Sequence, residues 1–235
     1  MCNGKNKNMD LITIGYDISY DPVYTRYHKM MPEEFKSKYE EFHFKLQKHD
    51  LTILNHIETF SQKYENPVIN NMLYNCYILA GRINDAAKIA EYNFNKFPDY
   101  LFGRFNYASL HILKKDYKSI PKILNFQFDL KSIEPSRNIF HISEVLSFHK
   151  LLYYYHTGIN EYKNAKRHFE IISKLDVEGK VKSELAKVNT NIQIRRVITT
   201  TLCIFLIPFI MIIAIYNLLK DIIRGCTSKF TKKMN

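Results

Sequence analysis

The sequence predicts an all-α chain: a solenoid of helical hairpins followed by a single C-terminal transmembrane helix. Three observations predict it. Gly and Pro are scarce, at 7 each in 235 residues, fewer than an all-β fold with its many turns would use. Apolar residues recur at the helical period through most of 33–196, and strand-like alternation is rare. Finally, Val197–Leu219, VITTTLCIFLIPFIMIIAIYNLL, is an uncharged run of 23 residues bracketed by Arg195, Arg196 and Lys220.

Residues 1–32 are expected to form a flexible N-terminal tail. The opening MCNGKNKNMDLITIGYD has no apolar core of a secretory signal, and position 2 is Cys, where myristoylation needs Gly. Pro32 followed by Glu33 and Glu34 marks the first helix start, with acids in the first turn. That helix runs through EEFKSKYEEFHFKLQKH. Asp50 is the expected N-cap of LTILNHIETFSQKY, which Asn66–Pro67 closes. VINNMLYNCYILA follows and ends at Gly81. Asn84 is the expected cap of DAAKIAEYNFNKF, which ends at Pro98. YLFGRFNYASLHIL, a Lys–Lys–Asp turn and YKSIPKILNFQF come next. After a break at Glu134–Pro135, FHISEVLSFHKLLYYYH and EYKNAKRHFEIISKL form a last pair. Helices joined by short turns make a chain of helical hairpins.

An internal repeat underlies this chain. GRINDAAKIA, KKDYKSIPKIL and INEYKNAKRHF share one frame: a turn, then a small or mid-sized residue, then an apolar one four later. The anchors are Ala86 and Ala90, Ile120 and Leu124, Ala165 and Phe169. The first spacing, 86 to 120, is 34 residues; the second, 120 to 165, is 45, an insertion of 11.

A 34-residue helix–turn–helix period resembles the tetratricopeptide repeat family. In the first unit Leu73 and Tyr77 stand at the first-helix apolar positions, Gly81 at the turn, Ala86 at the helix crossing and Pro98 at the exit. The second unit matches through Tyr107, Ala108, the Asp116–Tyr117 turn and Leu124. The third matches through Leu152, Tyr162, Ala165 and Phe169. The first-helix Trp of the family is absent, since the chain has no Trp. The resemblance covers 67–176, with 33–65 as an extra hairpin, so the repeat domain is expected over 33–176.

The resemblance implies that first helices line a groove exposing Asn71, Asn75, Phe105, Asn106, Ser109, Lys150 and Tyr154 to a protein or peptide partner. Asn75 and Asn106 resemble the two asparagines with which some members clamp a peptide's terminal carboxylate. Asn71 replaces that clamp's first lysine, and Ser147 and Leu151 do not match its later basic pair. Mixed amide and aromatic surface suits an extended peptide or a helix.

Catalytic motifs are lacking: there is no GxGxxG, P-loop, HExxH or GxSxG. The nine histidines are spread along the chain, and His43 and His49 are six apart, where three or four would share a helix face. Cys2, Cys76, Cys203 and Cys226 show no metal spacing or disulfide framework. No cofactor and no metal are expected. The LLYYYH run (151–156) reads as core packing, and Glu40 and Glu41 as an exposed helix face. Arg104 reads either as an interface residue or as half of a structural ion pair.

The net charge is +11, of which +4 belongs to 197–235 and +7 to the rest. The bland reading is a solvated lysine-rich surface, and nucleic acid is an unfavoured partner. A basic juxtamembrane helix is expected over 177–196, and a short basic tail over 220–235. Pro208 is tolerated inside a membrane helix as a kink. Lys232–Lys233 near the end matches a dilysine retrieval signal, and Cys226 is a possible acylation site. The expected function is a non-enzymatic scaffold, anchored to a membrane by one C-terminal span with its N-terminal domain in the cytosol. In layout it resembles the tail-anchored adaptors of organelle fission. The alternatives are an effector of an intracellular bacterium that inserts into a host membrane, and a basic helical-repeat nucleic-acid binder.

Overall fold

A computed structural model of the chain describes residues 14–179 and 181–186. Contacts divide the chain into 1–182 and 183–235, and the account that follows concerns the first unit. The expected span 197–219 and the tail 220–235 lie outside the described residues. Among those described, no helix is long and apolar enough to cross a membrane.

The described chain is mostly helical. Four long first helices alternate with shorter or longer partners: α2 (Glu33–Gln47) with α3 (Leu54–Lys63), α4 (Pro67–Leu79) with α5 (Ile83–Lys96), α6 (Leu101–Leu113) with α7 (Ile120–Ile123), and α9 (Ile142–Gly158) with α10 (Tyr162–Leu175). Each hairpin packs on the next in chain order, α3 on α4, α5 on α6 and α6 on α9. This is the helical-repeat arrangement, in which one hairpin cannot bury its apolar stripe alone.

The repeat is written in the backbone turns. His49, Gly81, Lys115 and Asn160 all take positive φ, at 58°, 71°, 59° and 63°. Each follows a first helix. After each, the next amide closes back on the carbonyl five residues earlier: Asp50 on Lys45 (2.9 Å), Arg82 on Tyr77 (2.8 Å), Asp116 on His111 (2.8 Å) and Glu161 on His156 (2.8 Å). These are Schellman turns, which satisfy the helix's last carbonyls. Gly81 reaches that conformation without the Cβ penalty that the other three bear. From Gly81 to Lys115 is 34 residues and from Lys115 to Asn160 is 45, the spacing read from the sequence.

Five residues beyond each of the last three turns lies the crossing residue. Ala86 and Ile120 are fully buried and Ala165 is 4% exposed. Ala90 and Ala108 are buried with them, and so are Leu73 and Tyr77, whereas Phe169 is only half-buried. Pro98 is exposed and lies two residues past the end of α5; Arg104, itself buried, donates from Nη2 to the Pro98 carbonyl at 2.6 Å. Among the described residues Arg104 bonds this carbonyl and makes no close ion pair.

Several local expectations are corrected. Arg82, not Asn84, stands at the N-cap of α5. Asp50 does cap, accepting from the Thr52 amide at 2.9 Å, through a 3-10 turn at Leu51–Ile53. YKSIPKILNFQF is not one long helix. It gives a 3-10 turn at Tyr117–Ser119 and the single turn of α7, because Asn125 and Phe126 both take positive φ and stop it.

The 11-residue insertion has a structural use. It builds the single turn α8 (Leu130–Ile133) and strand β2 (Ile139–His141) ahead of α9. Strand β1 (Asp17–Ser19) pairs with β2 in parallel, Ile18 opposite Phe140. Tyr16 is buried edge-on against Phe140, with ring centroids 4.9 Å apart. A one-turn helix α1 (Arg26–Lys29) then places Tyr27 in the core against Phe97 and Tyr100. Residues 14–32, expected as part of a loose tail, are thus folded onto the hairpins.

Two apolar cores result. The first joins α1 to α5; the second joins Tyr16 and β2 to α6, α7, α9 and α10; Phe102 and Tyr107 pack against both. A buried polar chain stiffens the first. Ser61 donates to Asn70, Asn70 to Asn93, and Asn93 to the Pro67 carbonyl, at 2.6, 3.0 and 3.1 Å. Every buried amide atom in this chain meets a partner, which offsets the cost of its desolvation.

Candidate functional site

The first helices do share a face, and the N-terminal segment runs along it. Two hollows result, of about 560 and 330 Å³, which have Val23, Tyr24, Tyr100 and Glu144 in common. Val23 and Tyr24 of the N-terminal segment therefore wall both. The segment is pinned at each end. At one end lies the β1–β2 pair. At the other, Asn66 donates to the Tyr27 carbonyl at 3.0 Å and the Tyr27 hydroxyl reaches Asp99 at 2.5 Å. Between them Tyr20 and Tyr24 are more than half exposed.

The smaller hollow holds the more suggestive surface. Tyr24, His28, Tyr39 and His43 line it as a ladder of rings, with successive centroids 5.8, 6.1 and 6.0 Å apart. The first two rungs come from the N-terminal segment and the last two from α2, four residues apart and so on one helix face. Burial holds the Tyr39 hydroxyl up to about 12 and pushes the His28 imidazole below its usual range, so both are neutral near pH 7. The opposite wall is α4, with Asn71, Asn75 and Met72. Neither Lys nor Arg lines this hollow.

The larger hollow is ionic and already internally paired. Arg26 meets Asp99 at 2.6 Å, and Arg137 grips Glu144 with two bonds of 2.9 and 2.6 Å. Glu144 also accepts from the His141 amide, completing the N-terminal cap of α9. Glu134 lines the same hollow, and burial raises its carboxyl above the usual range.

The seven expected groove residues separate into four groups. Asn71 and Asn75 line the smaller hollow. Asn106 does not project into it; its Nδ2 donates to Asn71 Oδ1 at 2.8 Å, while Asn75 Nδ2 donates to the Asn71 carbonyl at 3.0 Å. Phe105 is a correction: it is 2% exposed, packed against Phe102 and Phe148, because its face of α6 turns toward α9. Ser109, Lys150 and Tyr154 are half-buried and line neither hollow. The two asparagines of the expected clamp, Asn75 and Asn106, thus each direct one amide donation to Asn71, to its carbonyl and its Oδ1 respectively. In the LLYYYH run every residue but Tyr154 is buried, as core packing requires.

Sequence reasoning missed the ring ladder, because two of its rungs lie in a segment read as a loose tail. The i, i+4 spacing of Tyr39 and His43 was the available signal. Among the described residues no group of three or more His, Cys, Asp or Glu is placed to hold a metal ion. No protein-family model, no curated protein and no solved structure matches this chain.

Proposed function

We propose that this chain is a non-enzymatic adaptor that holds a protein or peptide partner in the aromatic cleft of a tetratricopeptide-like array. A C-terminal span, Val197–Leu219, fixes the array to a membrane. The observation that carries this reading is the Tyr24–His28–Tyr39–His43 ladder facing Asn71 and Asn75. Aromatic rings supply contact area at low entropic cost, and amides supply adaptable hydrogen bonds; together they suit a peptide. The run of 23 uncharged residues supplies the membrane half of the proposal. A nucleic-acid partner is poorly served, because a cleft walled by Glu40 and by no Lys or Arg offers phosphate no cation.

Photo-crosslinking in membranes tests it, with a reactive residue at His43 in the full chain and a control at Tyr92 on α5. One discrete product from position 43, lacking at 92, is expected. Products from both positions alike would refute a specific cleft. Carbonate extraction tests the anchor: the full chain should stay with the membrane, and a chain ending at 196 should not.

A further inference from the structure

The nine histidines look scattered in sequence, yet three of them meet between α9 and α10. His149 and His156 lie two turns apart on α9 and are 5% and 9% exposed. His168 on α10 inserts between them, with ring centroids 5.1 Å from His149 and 5.4 Å from His156, the latter pair stacked at 10°. His149 Nδ1 and His168 Nδ1 are 2.9 Å apart. At that distance one nitrogen must donate and the other accept, so the pair has room for one proton there and not two. His149 Nε2 is buried with no hydrogen-bond partner among the described residues. A proton added there would bury a donor without an acceptor.

The charged groups acting on the cluster, among the described residues, are few. Arg167 on α10 acts on His149 and His168 and opposes their charging; Asp129, just before α8, favours a charge on His149. Glu161, in the α9–α10 turn, accepts from His156 Nδ1 at 2.9 Å. Phe128 closes the side toward α8, its ring 6.2 Å from that of His156. On the α6 side, Phe105 meets Phe148. One carboxylate in direct contact cannot neutralise three imidazolium rings.

We infer that the His149–His156–His168 stack is an acid-sensitive latch, which closes α10 onto α9 when the rings are neutral and releases it when they take up protons. Release would expose the face of α10 that carries Ala165, Ile171, Ile172 and Leu175, all buried in the closed form. Burial holds His149 down to about 4 and, with the neighbouring rings, His168 down to about 3. In an opened hairpin each returns to about 6.5. The open form then binds more protons than the closed one between those values, so closure is favoured above about 6.5 and weakens as pH falls below it. From pH 7.5 to 5.5 each such group raises the open-to-closed ratio about tenfold, and two raise it about a hundredfold.

Hydrogen exchange of the full chain, corrected for the intrinsic pH dependence of amide exchange, measures that ratio. Between pH 7.5 and 5.5, opening of Ile142–Leu175 should rise a hundredfold or more while that of Pro67–Lys96 changes less than about threefold. His168→Gln, at a partly exposed position that tolerates a polar side chain, should cut the response to about a tenth. His149→Phe with His168→Phe should cut it to about a hundredth. A response of undiminished size in His168→Gln would overturn the latch. So would a flat wild-type response, or an equal rise in Pro67–Lys96.

Discussion

Asn106 reaches back one repeat to Asn71, its Nδ2 donating to the Asn71 Oδ1 across 2.8 Å. The two residues are 35 positions apart, on the first helices α4 and α6. The bond ties neighbouring hairpins on the face where the cleft opens. Replacing either residue by Ala should lower stability by about 1 kcal/mol, the usual net worth of such a bond. Urea unfolding of both single variants and the double variant should show a coupling of about 0.5–1.5 kcal/mol. Strict additivity would mean that the hairpins do not rely on this contact.

The four left-handed turns make a prediction of opposite signs. Gly81 at φ 71° should lose about 1 kcal/mol when changed to Ala, with no steric contact to blame, since the space around it is open. Lys115 has φ 59° in the equivalent turn. Lys115→Gly should gain about 0.5–1 kcal/mol by relieving the Cβ, less the added freedom of the unfolded chain. Thermal unfolding of the two variants checks both signs.

Close approach sets two further positions. Ala86 is fully buried where α5 crosses α4, so Ala86→Leu should cost about 1–3 kcal/mol by overpacking. At Gly158 an added Cβ would sit 2.1 Å from the Tyr117 ring. Gly158→Ala should therefore displace that ring and destabilise the packing of the Tyr117–Ser119 turn on the end of α9, whereas Gly158→Ala combined with Tyr117→Ala should tolerate the methyl. A double-mutant cycle by urea unfolding separates these outcomes.

The helical array was legible because its signals are local. The Gly81 turn, Ala86 and Pro98 each report a backbone requirement that one residue type meets best. The 34 and 45 spacing survived even where Lys115 and Asn160 stand in place of Gly, because it rests on the crossing residues as well as the turns. The cleft was only half legible. Asn71 and Asn75 follow from helix phase, but Phe105 fails because its side of α6 packs on Phe148 of α9. That contact, between helices far apart in sequence, turns an expected surface side chain into a core one. The role of residues 14–32 was illegible, since it depends on β1 meeting β2 more than 100 positions away. The three-histidine stack was hidden for the same reason, its third ring coming from another helix.

The N-terminal segment should be separable from the array it lies on. Tyr16→Ala removes the ring that Phe140 packs against and should free β1 without unfolding α4 and α5. Limited proteolysis would then cut within residues 20–25, where Tyr20 and Tyr24 are exposed, several-fold faster than in wild type. Equal acceleration of cuts within α4 and α5 would show that the segment and the array unfold together.

The central claim is that the ring-lined cleft holds the partner. Its most direct measurement is the dissociation constant, for the full chain, of the partner captured from position 43, with Tyr24→Ala plus Asn75→Ala set against wild type. Both substitutions alter the cleft and spare the fully buried core. Binding at least tenfold weaker, about 1.4 kcal/mol, is the result predicted. A constant unchanged within about twofold, in a variant that unfolds at the wild-type urea concentration, would contradict it.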